Sequence, residues 1–328
     1  MPLFETIEIN KDKVAQLAKE NWGIELGDVI KASQNHTFLA KKGEQKFILR
    51  VTPDPKGIRE KCTELEMSLL EYLYENKLPV SPPVRSILNN SPMLVVKDDN
   101  NPLIMCLFHF ATGEPVVYTE WKWLETKEIV VGLGQWYAKL HQLIRKFQVE
   151  FPEICKSARM WDTLHDSILK GVEIDPLDQA VVTDPNQFMI IHGDVNPSNY
   201  FWDSSLKMPS MFDWDQLQRA WYLYDLSSCI WGVVTLKKAG SPIDRSPVPQ
   251  ADPDLYTNWL LEGYESIPGI EKVDRAALER MVLIRRQLYL RFCKKALDEL
   301  PSDHPMADFC RFMTNFFENE DKENQKSK

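Results

Sequence analysis

The stretch MIIHGDVNPSNYFWDSSLKMPSMFDWDQLQRAWYLYD, Met189–Asp225, decides how this chain is read. Four polar residues, His192, Asp194, Asn199 and Asp213, are set between short apolar runs. Phe188–Ile191 reads as a buried strand, Tyr200–Trp202 as a second and Met211–Trp214 as a third. Between the first two, Gly193, Asn196, Pro197, Ser198 and Asn199 are residues of loops and turns.

Spacing adds chemistry to this frame. Asp194 is followed by four residues and then Asn199. A kinase catalytic loop has the same Asp-x4-Asn spacing, and Gly193 stands here where that loop carries Arg. Asp213 follows at the place of a magnesium-binding Asp, with Trp214 and Asp215 where a protein kinase has Phe and Gly. Phosphoryl transfer requires a carboxylate that orients the attacking hydroxyl and takes its proton. It also requires hard oxygen ligands for Mg²⁺, which neutralises phosphate charge. On this reading Asp194 is the catalytic base, and Asn199 and Asp213 are metal ligands. Asx-rich turns at strand ends would account for any one of these residues alone; the ordered set favours the catalytic reading. His192 is expected to position the loop by hydrogen bonds, and Asp225 to brace it from beneath. Three roles stay open for Asp215: a carboxylate near the metal, a helix cap, or a substrate contact.

HGDVNPSN followed by FDWD and YLYDLSS resembles the aminoglycoside phosphotransferase and choline kinase family, with details closest to its stress-response and homoserine kinase-like branches. The resemblance implies an α+β, bilobal protein-kinase-like fold. A small N-terminal lobe with an antiparallel sheet and a helix would take residues 1–108, and a larger, mainly helical C-terminal lobe residues 109–317. It implies ATP as phosphoryl donor, and Mg²⁺. It also implies residues. The family's loop over the ATP phosphates falls at Ser33–Thr37, where Asn35 matches and the family's glycines do not. FILRV, Phe47–Val51, is similar to the strand that carries the phosphate-binding cation, here Arg50. ELEMSLLEYL resembles the helix with the acidic partner of that cation, at Glu66, with Glu64 as the alternative. ATGEP matches the hinge, so the His109 carbonyl and the Ala111 amide are implied contacts for adenine.

The totals agree with such an enzyme. A chain of 328 residues suits two lobes, and 44% hydrophobic with 27% charged residues is ordinary for a soluble globular protein. A net charge of −9 argues against a nucleic-acid binder and permits a cationic acceptor. Six scattered cysteines without a Cys-x-x-Cys read as buried, reduced thiols of a cytoplasmic protein. MPLFETIEINKDK lacks the apolar core of a signal peptide, and no run approaches the ~20 apolar residues of a membrane helix.

Periodicity supplies the remaining elements. Helices are expected over Lys11–Trp22, Arg59–Glu75 and Lys127–Phe147, the last with His141 as a satisfied core histidine. Asp28–Ala40 and Lys46–Thr52 read as strands around a turn at Lys42-Gly43-Glu44, and SPMLVV and PLIMCLFHF as two more beyond a proline-rich connector, Val80–Val84. Phe151–Pro185 reads as an irregular insertion with a helix over Trp161–Lys170. Helices Leu226–Lys237, Tyr256–Tyr264, Asp274–Leu300 and Asp308–Phe317 follow, and 318–328 reads as a disordered tail. Aromatic residues at helical spacing, among them Tyr264, Tyr289 and Phe309, are core rather than a cation-binding box.

The chain is therefore expected to move the γ-phosphate of ATP to a hydroxyl of a small molecule of amino alcohol or amino sugar type. Two rivals remain. A protein Ser/Thr kinase of the same fold is weakened by the missing Ala-Pro-Glu segment. A non-catalytic nucleotide-binding module is motivated by the glycine-poor phosphate loop. A metal-dependent phosphatase would need grouped ligands that six scattered histidines do not supply.

Overall fold

Alternation along the N-terminal strands sends their side chains into two different cores. In this computed structural model, which describes residues 7–32, 34–97, 102–169, 184 and 186–326, helix α1 (Lys11–Trp22) precedes an antiparallel five-stranded sheet. Its strands are β1 (Glu25–Ala32), β2 (His36–Lys42), β3 (Gln45–Pro53), β4 (Leu94–Val96) and β5 (Leu103–His109), in the order β1-β2-β3-β5-β4. Phe47, Leu49 and Val51 of β3 pack with Leu103, Met105 and Leu107 of β5 against Val14, Ala18 and Trp22 of α1. Ile104, Cys106 and Phe108 of β5 point the other way, toward Leu65, Leu69 and Leu73 of α2 (Glu60–Glu75). Arg50 is paired with Cys106 across the ladder and so shares this second face. Strand β5 is covered on both sides from Leu103 to Phe108, and those residues are all apolar.

Local chemistry fixes the ends of these elements. The Asn10 side chain accepts the Lys13 N–H at 3.0 Å at the start of α1, and Gly23, with φ +66°, closes it. Gly43, with φ +58°, turns β2 into β3 through a two-residue loop. The span Asp28–Ala40, expected as one strand, is divided after Ala32; Gln34 and Asn35 lie between β1 and β2, and Ser33 lies outside the described residues. The proline-rich connector is paired rather than free: the Pro82 carbonyl accepts the His109 N–H at 3.0 Å, and Ser81 donates to Met211 at 3.0 Å.

Beyond β5 the fold is mainly helical. Strand β6 (Glu114–Pro115) and the short helix α3 (Lys122–Glu125) lead into α4 (Lys127–Glu150), followed by α5 (Pro152–Cys155) and α6 (Trp161–Leu169). The rest of the expected insertion, Lys170, 171–183 and Pro185, lies outside the described residues. Strands β7 (Phe188–Ile191), β8 (Tyr200–Asp203), β9 (Met208–Met211) and β10 (Gln218–Trp221) follow, then helices α7 (Tyr222–Ala239), α8 (Pro253–Glu265), α9 (Arg275–Glu299) and α10 (Pro305–Lys326). Strand β7 pairs antiparallel with β10, while β6, β8 and β9 form a separate antiparallel sheet in that order. The architecture is the expected α+β, bilobal, protein-kinase-like one.

Three expectations are corrected. The third strand is not Met211–Trp214 but Met208–Met211, because Asp213 has φ +62°, a left-handed conformation that no strand accommodates. Helix α7 starts at Tyr222, ahead of Leu226, and takes Asp225 into its first turn. Residues 318–326, expected to be disordered, continue α10 to Lys326; Lys294 holds Glu318 at 2.7 Å and Phe317 is fully buried. Among the described residues no helix is long and apolar enough to cross a membrane.

Helices α4 and α8 cross at backbone contact. A Cβ on Gly134 would overlap the Leu260 carbonyl, and one on Gly263 would overlap the Val131 carbonyl. Gly134→Ala should therefore lower stability by about 1–3 kcal/mol, the usual cost of overpacking. The midpoint of urea-induced unfolding measures it, and an unchanged midpoint would contradict the crossing.

Candidate active site

Strand β7 delivers the loop. All four of its residues are buried, and Ile191 pairs with Gln218 of β10, so the chain leaves the sheet at His192. Gly193 turns with φ +85°, and a Cβ there would run into the Gln218 side chain and the Gln216 carbonyl. Asp225, fully buried in the first turn of α7, holds the turn: Oδ1 accepts the Gly193 N–H at 2.7 Å and Oδ2 the His192 N–H at 3.1 Å. The same Oδ2 lies 3.2 Å from His141 Nε2, and His141 Nδ1 lies 2.9 Å from the Tyr264 hydroxyl. Burial pushes the His141 pKa down. The neutral ring then donates from Nε2 to the carboxylate and accepts at Nδ1 from Tyr264.

The turn leaves Asp194 with its backbone tied and its carboxylate toward the cleft. Its N–H donates to His192 Nδ1 at 3.3 Å, and its carbonyl accepts from Asn199 Nδ2 at 2.8 Å. The Asn199 amide nitrogen is thus engaged, which leaves Oδ1 as the atom of this side chain that could bind a cation. Phe212 donates to the Asn199 carbonyl at 2.9 Å and so fixes Asp213 beside the loop. His192 is buried against Trp214, ring centres 4.4 Å apart, and its pKa is pushed down by burial.

The opposite wall is built from charge. Arg50 forks onto Glu66, Nη1 to Oε1 at 2.8 Å and Nη2 to Oε2 at 2.6 Å, and Nη1 also lies 3.1 Å from Asp215 Oδ1. Burial works against the Arg50 charge, but the carboxylates of Glu66 and Asp215 raise its pKa above the ordinary value. Removing one partner of such a buried pair costs about 3–5 kcal/mol, since the other is left unpaired. Glu64, the alternative partner, is exposed. Asn35 Nδ2 donates to Asp215 Oδ2, and Arg59 Nη1 reaches Asn35 Oδ1 at 3.3 Å. Lys31 Nζ lies 3.8 Å from Asp213 Oδ2.

With this geometry in view, the relatives can be compared. A sequence profile of the phosphotransferase enzyme family matches residues 29–245. This chain belongs to that family. A search of the curated proteins returned no match. Solved structures share the fold: an amicoumacin kinase in complex with AMP-PNP, Ca²⁺ and Ami, 18% identical with TM-score 0.71, covers 95% of this chain and 94% of its own. A microcompartment-associated aminopropanol kinase, 18% identical with TM-score 0.63, covers 93% and 94%. A spectinomycin phosphotransferase in complex with ADP and spectinomycin, 14% identical with TM-score 0.61, covers 95% of each.

Of the residues singled out from the sequence, Asn35, Arg50, Glu66, Asp194, Asn199, Asp213 and Asp215 gather in one cluster of polar and charged groups, with His192 and Asp225 beneath its loop. His109 and Ala111 stand apart, where β5 ends; His109 packs against Phe47 with ring centres 5.7 Å apart. Sequence reading missed four cations of the site: Lys31, Arg59, Arg159 and Arg285. Arg159 Nη2 donates to the Asp215 carbonyl, and Arg285 Nη2 lies 3.5 Å from Asp194 Oδ1. Only Lys31, next to the Asn35 loop, had a positional signal.

The Asp213 carboxyl is pushed up to about 6 by burial and by the Asp215 carboxylate, against the pull of Lys31 and Arg50. The folded protein thus keeps a proton that the unfolded chain releases near 3.8. Asp213 favours folding below that range, and its contribution is lost as pH rises through about 6. Carboxyl-resolved NMR titration should find this midpoint near 6. Asp215→Asn should move it toward the ordinary carboxylate range; no downward movement would sever the proposed coupling.

Proposed function

We propose that this enzyme transfers the γ-phosphate of ATP to a hydroxyl of a small molecule, with Mg²⁺. The observation that carries the proposal is the convergence of Asp194, Asn199 and Asp213 with the Arg50–Glu66 pair on one cleft. Asp194 orients the acceptor hydroxyl and takes its proton; its backbone is tied down while its carboxylate, 40% exposed, meets Arg285 only at 3.5 Å. Arg50, held in its fork by Glu66, contacts the donor phosphates. Asn35 steadies the loop over them, and the backbone at His109 and Ala111 takes adenine.

The residues present fit the metal. Among the described residues no group of three or more His, Cys, Asp or Glu side chains could hold an ion alone. A site of Asp213 and the Asn199 Oδ1 suits Mg²⁺ instead, which keeps water and phosphate oxygens in its shell. When bound, Mg²⁺ supplies charge neutralisation at the phosphates. Asp213 must be ionised to contribute.

The acceptor is of amino alcohol or amino sugar type. Similar solved structures support this class, since they include an aminopropanol kinase, an ethanolamine kinase and a spectinomycin phosphotransferase. Residues 1–108 form the nucleotide-binding lobe and 109–317 the catalytic and acceptor lobe, with the adenine contacts at the boundary between them. All six cysteines are free thiols, which supports a reducing, cytoplasmic setting.

Asp194→Ala should lower kcat for ATP-dependent transfer by about 10²–10⁴-fold, the usual contribution of a positioned base. Asp213→Ala should abolish the magnesium-dependent rise in melting temperature that MgATP produces in the wild type. Circular dichroism should show both variants folded. Undiminished ADP release by both variants would overturn the assignment.

A further inference from the structure

The side of the cleft beside Asp194 carries a charge that an amine-bearing acceptor does not account for. Arg285 of α9 places Nη2 at 3.5 Å from Asp194 Oδ1. Its other arm, Nη1, donates to the Tyr224 hydroxyl at 2.6 Å, and its guanidinium carbon lies 5.2 Å from the centre of the Tyr224 ring. The Arg285 side chain is 19% exposed and that of Asp194 40%. A guanidinium offers five N–H donors and accepts nothing. At 3.5 Å the contact with Asp194 is at the limit of a hydrogen bond. The fork is therefore held in place by Tyr224 but not saturated by the carboxylate. His165 adds no second charge here, because burial, and then Arg285 itself, push its imidazole down to about 4.

Position turns this unsaturated fork into a specificity element. A hydroxyl that reacts must come within hydrogen-bond reach of the Asp194 carboxylate. The acceptor atoms next to that hydroxyl then stand close to Arg285. An ammonium group there would meet like charge at short range. A carboxylate or phosphate would complete the fork, the geometry for which arginine is suited.

We propose that Arg285 recognises an oxyanion, carboxylate or phosphate, carried by the acceptor beside the hydroxyl that is phosphorylated. This rests on the reading of Asp194 as the base, and it narrows the acceptor to amino alcohols or amino sugars that bear an acidic group as well. Arg285 pairs with Asp194 in the free enzyme and turns to the acceptor in the complex, leaving the Asp194 carboxylate to the hydroxyl.

Two pairs of probes isolate the oxyanion. L-Serine is ethanolamine with a carboxylate added, and glycerol 3-phosphate is glycerol with one hydroxyl phosphorylated. Calorimetric titration of each into the protein saturated with Mg–AMP-PNP should show at least one acidic member binding about tenfold or more tighter than its parent. The pair that responds identifies carboxylate or phosphate. Arg285→Gln should bring the two members of that pair together, and Arg285→Lys, which keeps the charge without the fork, should retain part of the gap. The proposal is overturned if neither acidic probe is preferred by the wild type, or if the preference survives Arg285→Gln. The wild-type comparison needs no variant to fold. Mg–AMP-PNP binding is measured in the same experiment; its failure would count against the kinase reading, while the oxyanion preference is still read on the protein alone.

Discussion

One buried carboxylate sets the geometry on which the cleft depends. Asp225 is fully buried and accepts from the Gly193 and His192 N–H groups and from His141. Its three partners come from the loop after β7 and from α4, while Asp225 itself sits in the first turn of α7, where the helix dipole favours a negative charge. Without it, two buried N–H groups would be orphaned at about 1–3 kcal/mol each. The dependence runs further. His141 is oriented by Tyr264, and Tyr264 belongs to α8, the helix that meets α4 at Gly134 and Gly263. The position of the Asp194 backbone is thus linked, through hydrogen bonds alone, to a helix crossing far from it in sequence.

The phosphate side solves a different problem. A glycine-rich loop approaches phosphates through its bare backbone. This chain has Gln34, Asn35 and His36 there, and holds Asn35 by its side chain, between Arg59 and Asp215. Asp215 also reaches Arg50. A carboxylate therefore stands beside the guanidinium that is proposed to meet donor phosphates. The N-terminal sheet and the Asp213–Asp215 turn are joined by charge-assisted bonds rather than by the freedom of glycine, and a nucleotide must compete with those bonds.

What could be read from the sequence follows from how local each signal is. Helix α1 was legible to the residue and α4 to within one turn, because long amphipathic repeats dominate their own neighbourhood. The Asp194, Asn199 and Asp213 set could be proposed because its spacing matches a kinase loop, and the fold does bring the three onto neighbouring turns. The strand before Asp213 was misplaced because the apolar run Met211–Trp214 imitates a strand. The real one contains Pro209, tolerated at the edge of the three-stranded sheet. Strand β10 went unseen, since Gln-Arg-Ala-Trp has no alternation and its identity as a strand comes from pairing with β7. The end of α10 looked disordered by composition, yet Phe317 buries and Lys238 and Lys294 pair with Glu320 and Glu318. Arg285 and Arg159 had no local signal at all; folding alone brings them to Asp194 and Asp215.

Total charge proves a poor guide to such a cleft. The net value of −9 was read as permitting a cationic acceptor. Inside the cleft, however, each of the three aspartates faces a base: Asp213 faces Lys31 at 3.8 Å, Asp215 faces Arg50 at 3.1 Å and Asp194 faces Arg285 at 3.5 Å. The excess of acid therefore lies elsewhere on the molecule, where solvent screens it within about 10 Å at ordinary salt. A ligand in the cleft meets paired charges at short range, so which member of each pair it displaces, more than the sum over the surface, decides what binds. On the proposed roles, the ligand would offer oxyanions to Arg50 and Arg285 and a hydroxyl to Asp194.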